Sequence, residues 1–462
     1  MAEPEKNKLE YSPKNCWEIY NEPEHIQSMD QLAERYLDFL GKNKTEREVV
    51  AYTLERAKQA GFVEGFQSGA DKCFQVLRGK TAFLARRGRL SLEQGLRLLA
   101  AHGDAPRLDL KQRPLTDDLA LCQAKTHYYG GIRKYQWLAR PLAIHGVVAL
   151  KNGRVMPVVL GEAPNEPVFS VIDLLPHLAA KQNEKKLSDA FDGEKLTLVM
   201  GHRPEQNTEG KCKNQAKARV LSILNEKYGI DEEDLYSAEL EAVPAGPAVP
   251  VGLDGSLLGG YGQDDRICVF CGLEAILESP AAEFTQCLIL WDKEETGSEG
   301  ATGAGSRFLE YCLNDMIRAW EPQVLFSRMI TSVKAISGDV HAAMDPDYQE
   351  LHDKQNAALV GYGPCFCKFT GHRGKYAAND ADAEYVAWMR QVLDKASVPW
   401  QMAELGKVDL GGGGTVAKFL ASQGMEVIDC GPAVLSMHSP FEISSKVDLY
   451  ATTLAYKAFL IS

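Results

Sequence analysis

A regular alternation of short apolar segments with helical patterns, which begins after residue 255, limits the fold of this chain more than any other feature. Four apolar runs are short enough to be buried strands, at 287–291, 329–336, 364–369 and 425–430. Helical patterns lie between and beyond them, at 265–278, 304–320, 380–396, 412–423 and 446–460. Strands that read as continuous apolar runs must be covered on both faces of their sheet. The alternation therefore predicts an α/β fold with a central mixed sheet covered by helices.

The first half of the chain has a different pattern of apolar and polar residues. Residues 29–64 have the apolar spacing of two amphipathic helices. Between about 107 and 250, short apolar runs are separated by Asn-Gly and other turn signals, which is typical of β hairpins. The segment 242–250, rich in proline and alanine, predicts a boundary. Because 462 residues exceed the usual size of one hydrophobic core, we expect at least two domains.

The charge balance restricts the classes of partner. The chain has 63 acidic and 51 basic residues, a formal net charge of −12. It therefore lacks the basic field with which proteins displace counterions from nucleic acid, and it is not suited to electrostatic docking on an anionic membrane. We expect neither nucleic acid nor a membrane among its partners.

The cysteines and the first residues predict a cytoplasmic protein. Met1–Lys6 shows neither the basic segment nor the apolar core of a signal peptide, and no stretch approaches 18 apolar residues. The 11 cysteines are then expected to be reduced thiols. Cys268/Cys271 and Cys365/Cys367 form close pairs, but neither has a second pair at zinc-ribbon spacing, which predicts buried core thiols.

Polar residues suited to metal binding follow several apolar runs. In α/β proteins the chemistry usually lies where strands end in loops. The residues at these positions are His102-Gly103-Asp104, Gln263–Arg266, Asp292–Glu295, Asp339 and His438. Two histidines with three carboxylates form a ligand set that suits zinc, manganese or cobalt.

The spacing within this set has a physical logic. In extended backbone, Asp104 shares a face with His102 and can orient its imidazole from behind. Adjacent Glu294 and Glu295 point in different directions, so one can bind metal while the other acts as a general base. Each element alone is weak, since a single histidine is commonly structural and a Glu-Glu pair is commonly a solvated surface. The signal is the ordered set.

That ordered set resembles the aspartyl aminopeptidase family of di-zinc metallopeptidases, particularly its bacterial branch. The resemblance extends over almost the whole chain. The segments that carry it are Ala101–Pro106, Tyr129-Gly130-Gly131, Tyr261–Arg266, Trp291–Ser298, Ser337-Gly338-Asp339, Asp345-Pro346, Gly411–Thr415 and Met437–Glu442.

The resemblance implies a pair of zinc ions and their ligands. His102 and Asp339 would bind one ion, Glu295 and His438 the other, and Asp264 would bridge them. Manganese or cobalt in place of zinc stays open. Every ligand position that the resemblance requires is present in this chain.

The resemblance also implies an activity. The chain is expected to be a metal-dependent aminopeptidase that releases the N-terminal residue of peptides, with acidic residues, Asp or Glu, among the expected substrates. Glu294 would act as general base on a water activated by the two metal ions, and Asp104 would orient a metal-binding histidine.

Four further residues are expected to contact substrate. Lys368 and Tyr376 fall near substrate contacts of the family, and His177 matches a histidine that reaches the active site of a neighbouring subunit. His341 is the histidine nearest in sequence to Asp339. We therefore include it among the candidate substrate-binding residues.

The family architecture completes the prediction. A catalytic domain with the fold of a zinc peptidase would comprise 1–105 and 252–462. Residues 106–251 would form an inserted β-rich domain for oligomerisation and for covering the active site. The resemblance implies a homo-oligomer, a dodecamer built from dimers.

Other functions were weighed against this one. A different di-metal amide hydrolase, such as a carboxypeptidase or an acylamino hydrolase, is the alternative enzyme, and a ligand-binding or assembly protein is the alternative without activity. The glycine run Gly411–Gly414 lacks the lysine of a phosphate-binding loop, so close backbone packing beside the active site is expected there. No nucleophile-elbow motif surrounds Ser436 or Ser439, which argues against covalent catalysis.

Overall fold

The structure is a computed structural model that describes residues 9–206 and 214–462. Met1–Lys6, on which the expectation of no signal peptide rests, lies outside the described residues. The helices are α1 Cys16–Ile19, α2 Pro23–Lys42, α3 Glu46–Gln59, α4 Ala180–Asn183, α5 Leu187–Ala190, α6 Gln215–Tyr228, α7 Gln263–Glu278, α8 Phe308–Trp320, α9 Phe326–Ile330, α10 Ala383–Lys395, α11 Ala417–Ala421 and α12 Lys446–Ile461.

The strands form three sheets. They are β1 Val63–Glu64, β2 Lys72–Leu77, β3 Thr81–Arg86, β4 Leu96–His102, β5 Arg107–Asp118, β6 Leu121–Tyr129, β7 Leu142–Ala149, β8 Val155–Leu160, β9 Leu198–Gly201, β10 Ala238–Pro244, β11 Val249–Val251, β12 Leu257–Gly260, β13 Thr285–Trp291, β14 Lys334–Ser337, β15 His341–Ala342, β16 Cys365–Cys367, β17 Gln401–Met402, β18 Glu426–Gly431, β19 Ala433–Leu435 and β20 Glu442–Ser445.

The largest sheet has nine strands in the order β1-β2-β3-β13-β4-β14-β18-β16-β17. Its centre, β13-β4-β14-β18, is parallel, whereas β3 and β16 join antiparallel. The sheet is therefore mixed, as predicted. Because the central strands are parallel, their carboxyl ends lie at one edge, and the loops that follow them meet there.

Both faces of this sheet are buried, and the period of two along each strand explains how. In β13, Leu288 and Leu290 pack into the core beneath α2, α3, α7, α10 and α12, whereas Cys287, Ile289 and Trp291 pack into the core beneath α8, α9 and α11. The run 287–291, which is apolar at every position, thus contributes to two cores. The predicted sheet between two layers of helices is confirmed.

The six-stranded sheet is separate in sequence and in packing, whereas the five-stranded sheet packs into a core of the nine-stranded sheet through Leu258 and Val434. The six-stranded sheet, in the order β8-β7-β10-β5-β6-β9, lies between residues 107 and 244 and has an apolar core of its own. The chain then crosses at 245–248, inside the predicted boundary segment, into a five-stranded sheet in the order β11-β12-β20-β19-β15. The division into catalytic and inserted domains stays a prediction, which this separation supports.

Local signals in the sequence account for the start of α3, the helix behind the loop that follows β4. The Thr45 hydroxyl accepts a hydrogen bond from the backbone N–H of Glu48 at 3.2 Å, and the Glu48 carboxylate accepts one from the Thr45 N–H at 3.0 Å. This capping box satisfies two N–H groups that α3 would otherwise leave without partners. Val49 of α3 then lies where a side chain at Gly103 would need space, so α3 packs directly behind the loop after β4.

Two sequence expectations differ from the structure. Residues 329–336 were expected to be one strand, but Phe326–Ile330 is helical and only Lys334–Ser337 is extended. Met329 and Ile330 are buried in the helix, as they would be in the expected strand. A short apolar run therefore does not by itself distinguish a strand from a buried helical turn. The helix expected at 412–423 is limited to Ala417–Ala421, since the preceding glycines take a loop conformation.

The cysteine prediction is confirmed for the described part of the chain. Every cysteine there is buried and free of disulfide bonds, including both close pairs. Among the described residues, no helix combines the length and the apolar character needed to cross a membrane.

Candidate metal centre

Strand ends of two sheets bring the predicted ligands together. His102 is the last residue of β4 and pairs in register with Trp291, the last residue of β13, which places the turn containing Glu294 and Glu295 beside it. Asp339 follows β14, the next parallel neighbour of β4. The five-stranded sheet supplies the remaining two ligands, Asp264 after β12 and His438 between β19 and β20.

The carboxylate of Asp264 lies between the two histidines. Its Oδ1 is 3.3 Å from Nε2 of His102, and its Oδ2 is 3.2 Å from Nε2 of His438. Nε2 of His438 is also 3.4 Å from Oε2 of Glu295. Two groups of potential metal ligands result, and they share Asp264: His102, Asp264 and Asp339 form one, and Asp264, Glu295 and His438 form the other.

These separations fit a pair of metal sites. Two ligand atoms bound at about 2.0–2.1 Å to a tetrahedral zinc ion lie about 3.3 Å from each other. The buried atoms Nε2 of His102 and Oε1 of Glu295 have no hydrogen-bond partner in the protein. Buried polar atoms are almost always satisfied, so these two atoms fit the binding of a cation.

The tautomers of both histidines also suit metal binding. Nδ1 of His102 lies 3.1 Å from the backbone oxygen of Asp104, and Nδ1 of His438 lies 2.9 Å from the backbone oxygen of Gly131. A carbonyl oxygen only accepts hydrogen bonds, so each Nδ1 must carry the proton. In the neutral imidazole this leaves the lone pair on Nε2, the atom that faces Asp264.

The electrostatics of the site favour a bound cation. Burial raises the pKa of Glu295 and of Asp339 well above the ordinary range, and the neighbouring carboxylate of Asp264 adds to the shift. Burial opposes the protonation of His102, but its contacts with Asp104 and Asp264 raise its pKa well above the usual value. A divalent cation stabilises such crowded carboxylates, and its binding must displace protons from the ligands.

Asp104 orients more than the imidazole predicted for it. Its Oδ1 is 3.4 Å from Nδ1 of His102 and accepts a hydrogen bond from the N–H of Glu294 at 3.1 Å. Its Oδ2 accepts one from the N–H of Glu295 at 3.2 Å and one from the hydroxyl of Tyr129 at 2.8 Å. One fully buried carboxylate thus holds a ligand histidine and the turn that carries the two glutamates.

Glu294 lies at the entrance to the metal centre, with Oε2 4.0 Å from Nε2 of His102. Burial raises its pKa to about 7, while the charge of His102 opposes the shift and that of Asp104 adds to it. A carboxyl group with a pKa near neutrality can both accept and return a proton at physiological pH.

Glu442 is a functional candidate that the sequence did not assign. Its Oε1 accepts a hydrogen bond from the N–H of His438 at 2.7 Å, and its Oε2 accepts one from the N–H of Asp264 at 3.2 Å. It therefore joins the backbones of two predicted metal ligands, one of which, His438, has a left-handed φ of 62°. The signal available in the sequence was its place at the end of the Met437–Glu442 segment.

A cavity of about 780 Å³ opens onto the metal centre. Glu294, Asp339 and His438 line it, and so does His341, whose buried Nε2 has no hydrogen-bond partner. Burial lowers the pKa of His341 to about 4, so its imidazole is neutral at physiological pH.

The other predicted substrate contacts are not part of the wall of this cavity. Lys368 and Tyr376 lie next to lining residues such as Phe369 and Ala377, and Tyr376 is exposed. His177 is exposed in a short turn of the chain segment between β8 and β9 and does not line the cavity of its own chain. Their roles stay predictions.

The glycine run packs as expected. Gly411–Gly414 lines the cavity, and a Cβ atom at Gly411 or at Gly412 would collide with the carbonyl oxygens of Leu405 or Gly371. The run therefore allows close backbone approach beside the site.

Known proteins match this chain over nearly its whole length. A family model described as aminopeptidase I zinc metalloprotease (M18) matches residues 39–460. A probable M18 family aminopeptidase 1 of Borreliella burgdorferi is 47% identical over 457 residues, which cover 96% of this chain and 99% of the relative.

Solved structures agree in fold. The crystal structure of an M18 family aminopeptidase from Thermotoga maritima is 44% identical, covers 98% of this chain and 99% of its own, and superposes with a TM-score of 0.92. A yeast mApe1 dodecamer is 20% identical and matches with a TM-score of 0.75 over 94% of this chain and 97% of its own, a likeness that shows the fold alone. These matches confirm the resemblance stated from the sequence, and they favour an aminopeptidase over the alternative hydrolases.

Proposed function

This chain belongs to the aminopeptidase I (M18) family of zinc metalloproteases, and we propose that it removes N-terminal residues from peptides with two metal ions bridged by Asp264 and with Glu294 as general base. The observation that carries the proposal is the position of the Asp264 carboxylate, whose two oxygens each face Nε2 of a different histidine. A carboxylate placed in this way is suited to bridging a pair of cations.

The chain's own residues would divide the work as follows. When bound, the metal ions supply Lewis-acid activation of the peptide carbonyl and of the attacking water. Glu294 would take the proton of that water and later give it to the leaving amine, a role that its position at the cavity wall beside Nε2 of His102 supports. Asp104 keeps Glu294 in reach by accepting its backbone N–H. His102 and His438 keep their protons on Nδ1, because Nδ1 is held by a carbonyl oxygen in each case.

Zinc is the metal we propose, since the family is one of zinc enzymes and the ligands are imidazoles and carboxylates. Manganese and cobalt accept the same ligand set. A cytoplasmic location belongs to the proposal as well, supported by buried thiols without disulfides.

A preference for acidic N-terminal residues is the finer part of the proposal. The cavity wall includes the cations Arg373 and Lys418, which favour an acidic side chain, but also the carboxylates Glu404 and Asp429, which favour a basic one. Rates on reporters with N-terminal Asp, Leu and Lys distinguish these outcomes. The proposal expects the highest kcat/KM with Asp, and a preference for Lys would contradict it.

Replacement of the base tests the mechanism. Glu294→Gln keeps the size of the side chain but cannot accept a proton, so kcat should fall by about 10²–10⁴-fold. The zinc content should stay at the wild-type value, because Glu294 belongs to neither group of ligands. Glu299→Gln, an exposed glutamate on the same loop, is the matched control and should keep wild-type activity. A Glu294→Gln enzyme with near wild-type kcat would refute the assignment.

We also propose that the chain forms dimers that assemble into a dodecamer, with the segment around His177 at the interface. Four large apolar side chains near this histidine are at least half exposed, which is unusual for a solvent-facing surface: Ile172, Leu174, Leu175 and Leu178. The yeast relative whose structure is a dodecamer supports the same assembly. Residues 106–251 would then serve as the inserted oligomerisation domain.

A further inference from the structure

The segment Tyr129-Gly130-Gly131 contacts both halves of the proposed metal centre. It ends β6 of the six-stranded sheet, whereas the ligands come from the other two sheets. We propose that this segment positions both metal sites, Tyr129 through Asp104 and His102, and Gly131 through His438. The inference rests on the proposed function and adds to it positioning residues from the end of the six-stranded sheet.

The first contact is made by the Tyr129 hydroxyl. It donates a hydrogen bond of 2.8 Å to Oδ2 of Asp104, the carboxylate that lies behind His102. Loss of this donor would leave Asp104 held only by the N–H groups of Glu294 and Glu295, and the imidazole of His102 would be directed less firmly. Partners of this kind behind metal ligands typically change metal affinity by about 10–100-fold.

The tyrosine ring is itself held in place. The guanidinium of Arg107 lies 4.0 Å from the ring centroid of Tyr129. Arg107 is buried and forms ion pairs with Glu46 at 3.3 Å, with Asp109 at 2.8 Å and with Glu241 at 3.1 Å. Because these carboxylates belong to α3, β5 and β10, the position of the ring is fixed by several elements at once.

The second contact is made by the backbone of Gly131. Its carbonyl oxygen accepts the hydrogen bond from Nδ1 of His438 at 2.9 Å. A Cβ atom at Gly131 would lie 3.2 Å from the same Nδ1, so a side chain here would push the imidazole away from its ligand position. A Cβ atom at Gly130 would lie 3.3 Å from Cβ of Glu295, which places the whole segment against the second metal site.

Two substitutions separate the two contacts. Tyr129→Phe removes only the hydroxyl and acts through Asp104 on the site of His102 and Asp339. Gly131→Ala adds one methyl group and acts on the site of Glu295 and His438. Gly193→Ala is the matched control. Its added Cβ would lie 3.2 Å from the ring of Tyr128, the same distance as that between the Cβ added at Gly131 and Nδ1 of His438. Tyr128→Phe is the control for loss of a hydroxyl.

The test titrates the zinc-loaded, full-length protein with a chromophoric chelator and fits two dissociation constants per chain. Tyr129→Phe and Gly131→Ala should each raise one constant by about 10-fold or more, and the ratio of the two constants should move in opposite directions in the two variants. The controls should stay within about twofold of wild type.

Two results would overturn the inference: constants within about twofold of wild type in both variants, or a ratio that moves in the same direction in both. A merely structural role would lower the melting temperature of each variant without changing the ratio, which would also refute it. Failure of the proposed function is a separate result, because it shows in the wild-type protein as fewer than two zinc ions per chain.

Discussion

At the scale of single residues, the metal centre depends on carboxylates used for three purposes. Asp264 faces both histidines, Glu294 lines the cavity as the proposed base, and Asp104 and Glu442 accept backbone N–H groups. The residue types and their order were predictable from the sequence through the family resemblance. The contacts of Tyr129, Gly131 and Glu442 were not, since they depend on how distant strands meet rather than on local spacing.

Substitution of Asp264 should affect metal content as well as activity, unlike substitution of Glu294. Asp264→Asn keeps the shape of the side chain but removes the negative charge that would serve both ions, so we expect zinc content to fall below one ion per chain. Activity should fall by about 10³-fold or more, because both sites are lost together. Metal analysis of the purified variant measures this directly. Asp254→Asn, an exposed aspartate before β12, is the control, and two retained zinc ions in Asp264→Asn would contradict the bridging role.

At the scale of elements, the period and length of the apolar patterns predicted the helices and strands that such patterns encode. The helix pattern at 265–278 corresponds to α7, and the apolar run at 287–291 corresponds to β13, because long periodic segments and doubly buried strands leave strong patterns. The prediction of one strand at 329–336 was wrong, since burial alone does not select between a helical turn and a strand. The pairing of β13 with β4, which brings His102 and Glu294 together, is set by non-local contacts that the pattern does not contain.

A buried charge cluster joins α3 to the six-stranded sheet. His145 of β7 places Nδ1 2.8 Å from Oε1 of Glu48 and Nε2 3.1 Å from Oε1 of Glu162. Nζ of Lys44 contacts the same Glu162 carboxylate. Burial opposes protonation of His145, but Glu162 and Glu48 together raise its pKa. The cluster therefore links α3 to the six-stranded sheet most strongly while His145 is charged.

This shift has a definite consequence for stability. A histidine whose pKa is raised on folding stabilises the folded state fully below its unfolded value of about 6.5, and this stabilisation is lost as the pH rises through the folded value. His145→Gln should therefore lower the free energy of unfolding by about 1–3 kcal/mol at pH 6 and by less at pH 9. Urea denaturation at both pH values measures the difference. The exposed His127→Gln is the control, and an equal or larger cost for His145→Gln at pH 9 would contradict the prediction.

At the scale of the whole molecule, the account predicts an assembly. Light scattering should give a mass of about 610 kDa, twelve times the chain mass of 50.9 kDa. Leu178→Glu places a charge in the exposed apolar segment around His177 and should shift the mass to smaller species, whereas Leu253→Glu, on a different exposed loop, should not. A wild-type mass near that of one chain would refute the proposed oligomer.

The most direct measurement for the central claim is anomalous X-ray diffraction at the zinc edge from crystals of the zinc-loaded protein. We expect two peaks about 3.5–4 Å apart, the spacing of co-catalytic metal pairs. One should lie among His102, Asp264 and Asp339, and the other among Asp264, Glu295 and His438. A single peak, or peaks away from Asp264, would contradict the claim that these five side chains bind a pair of metal ions.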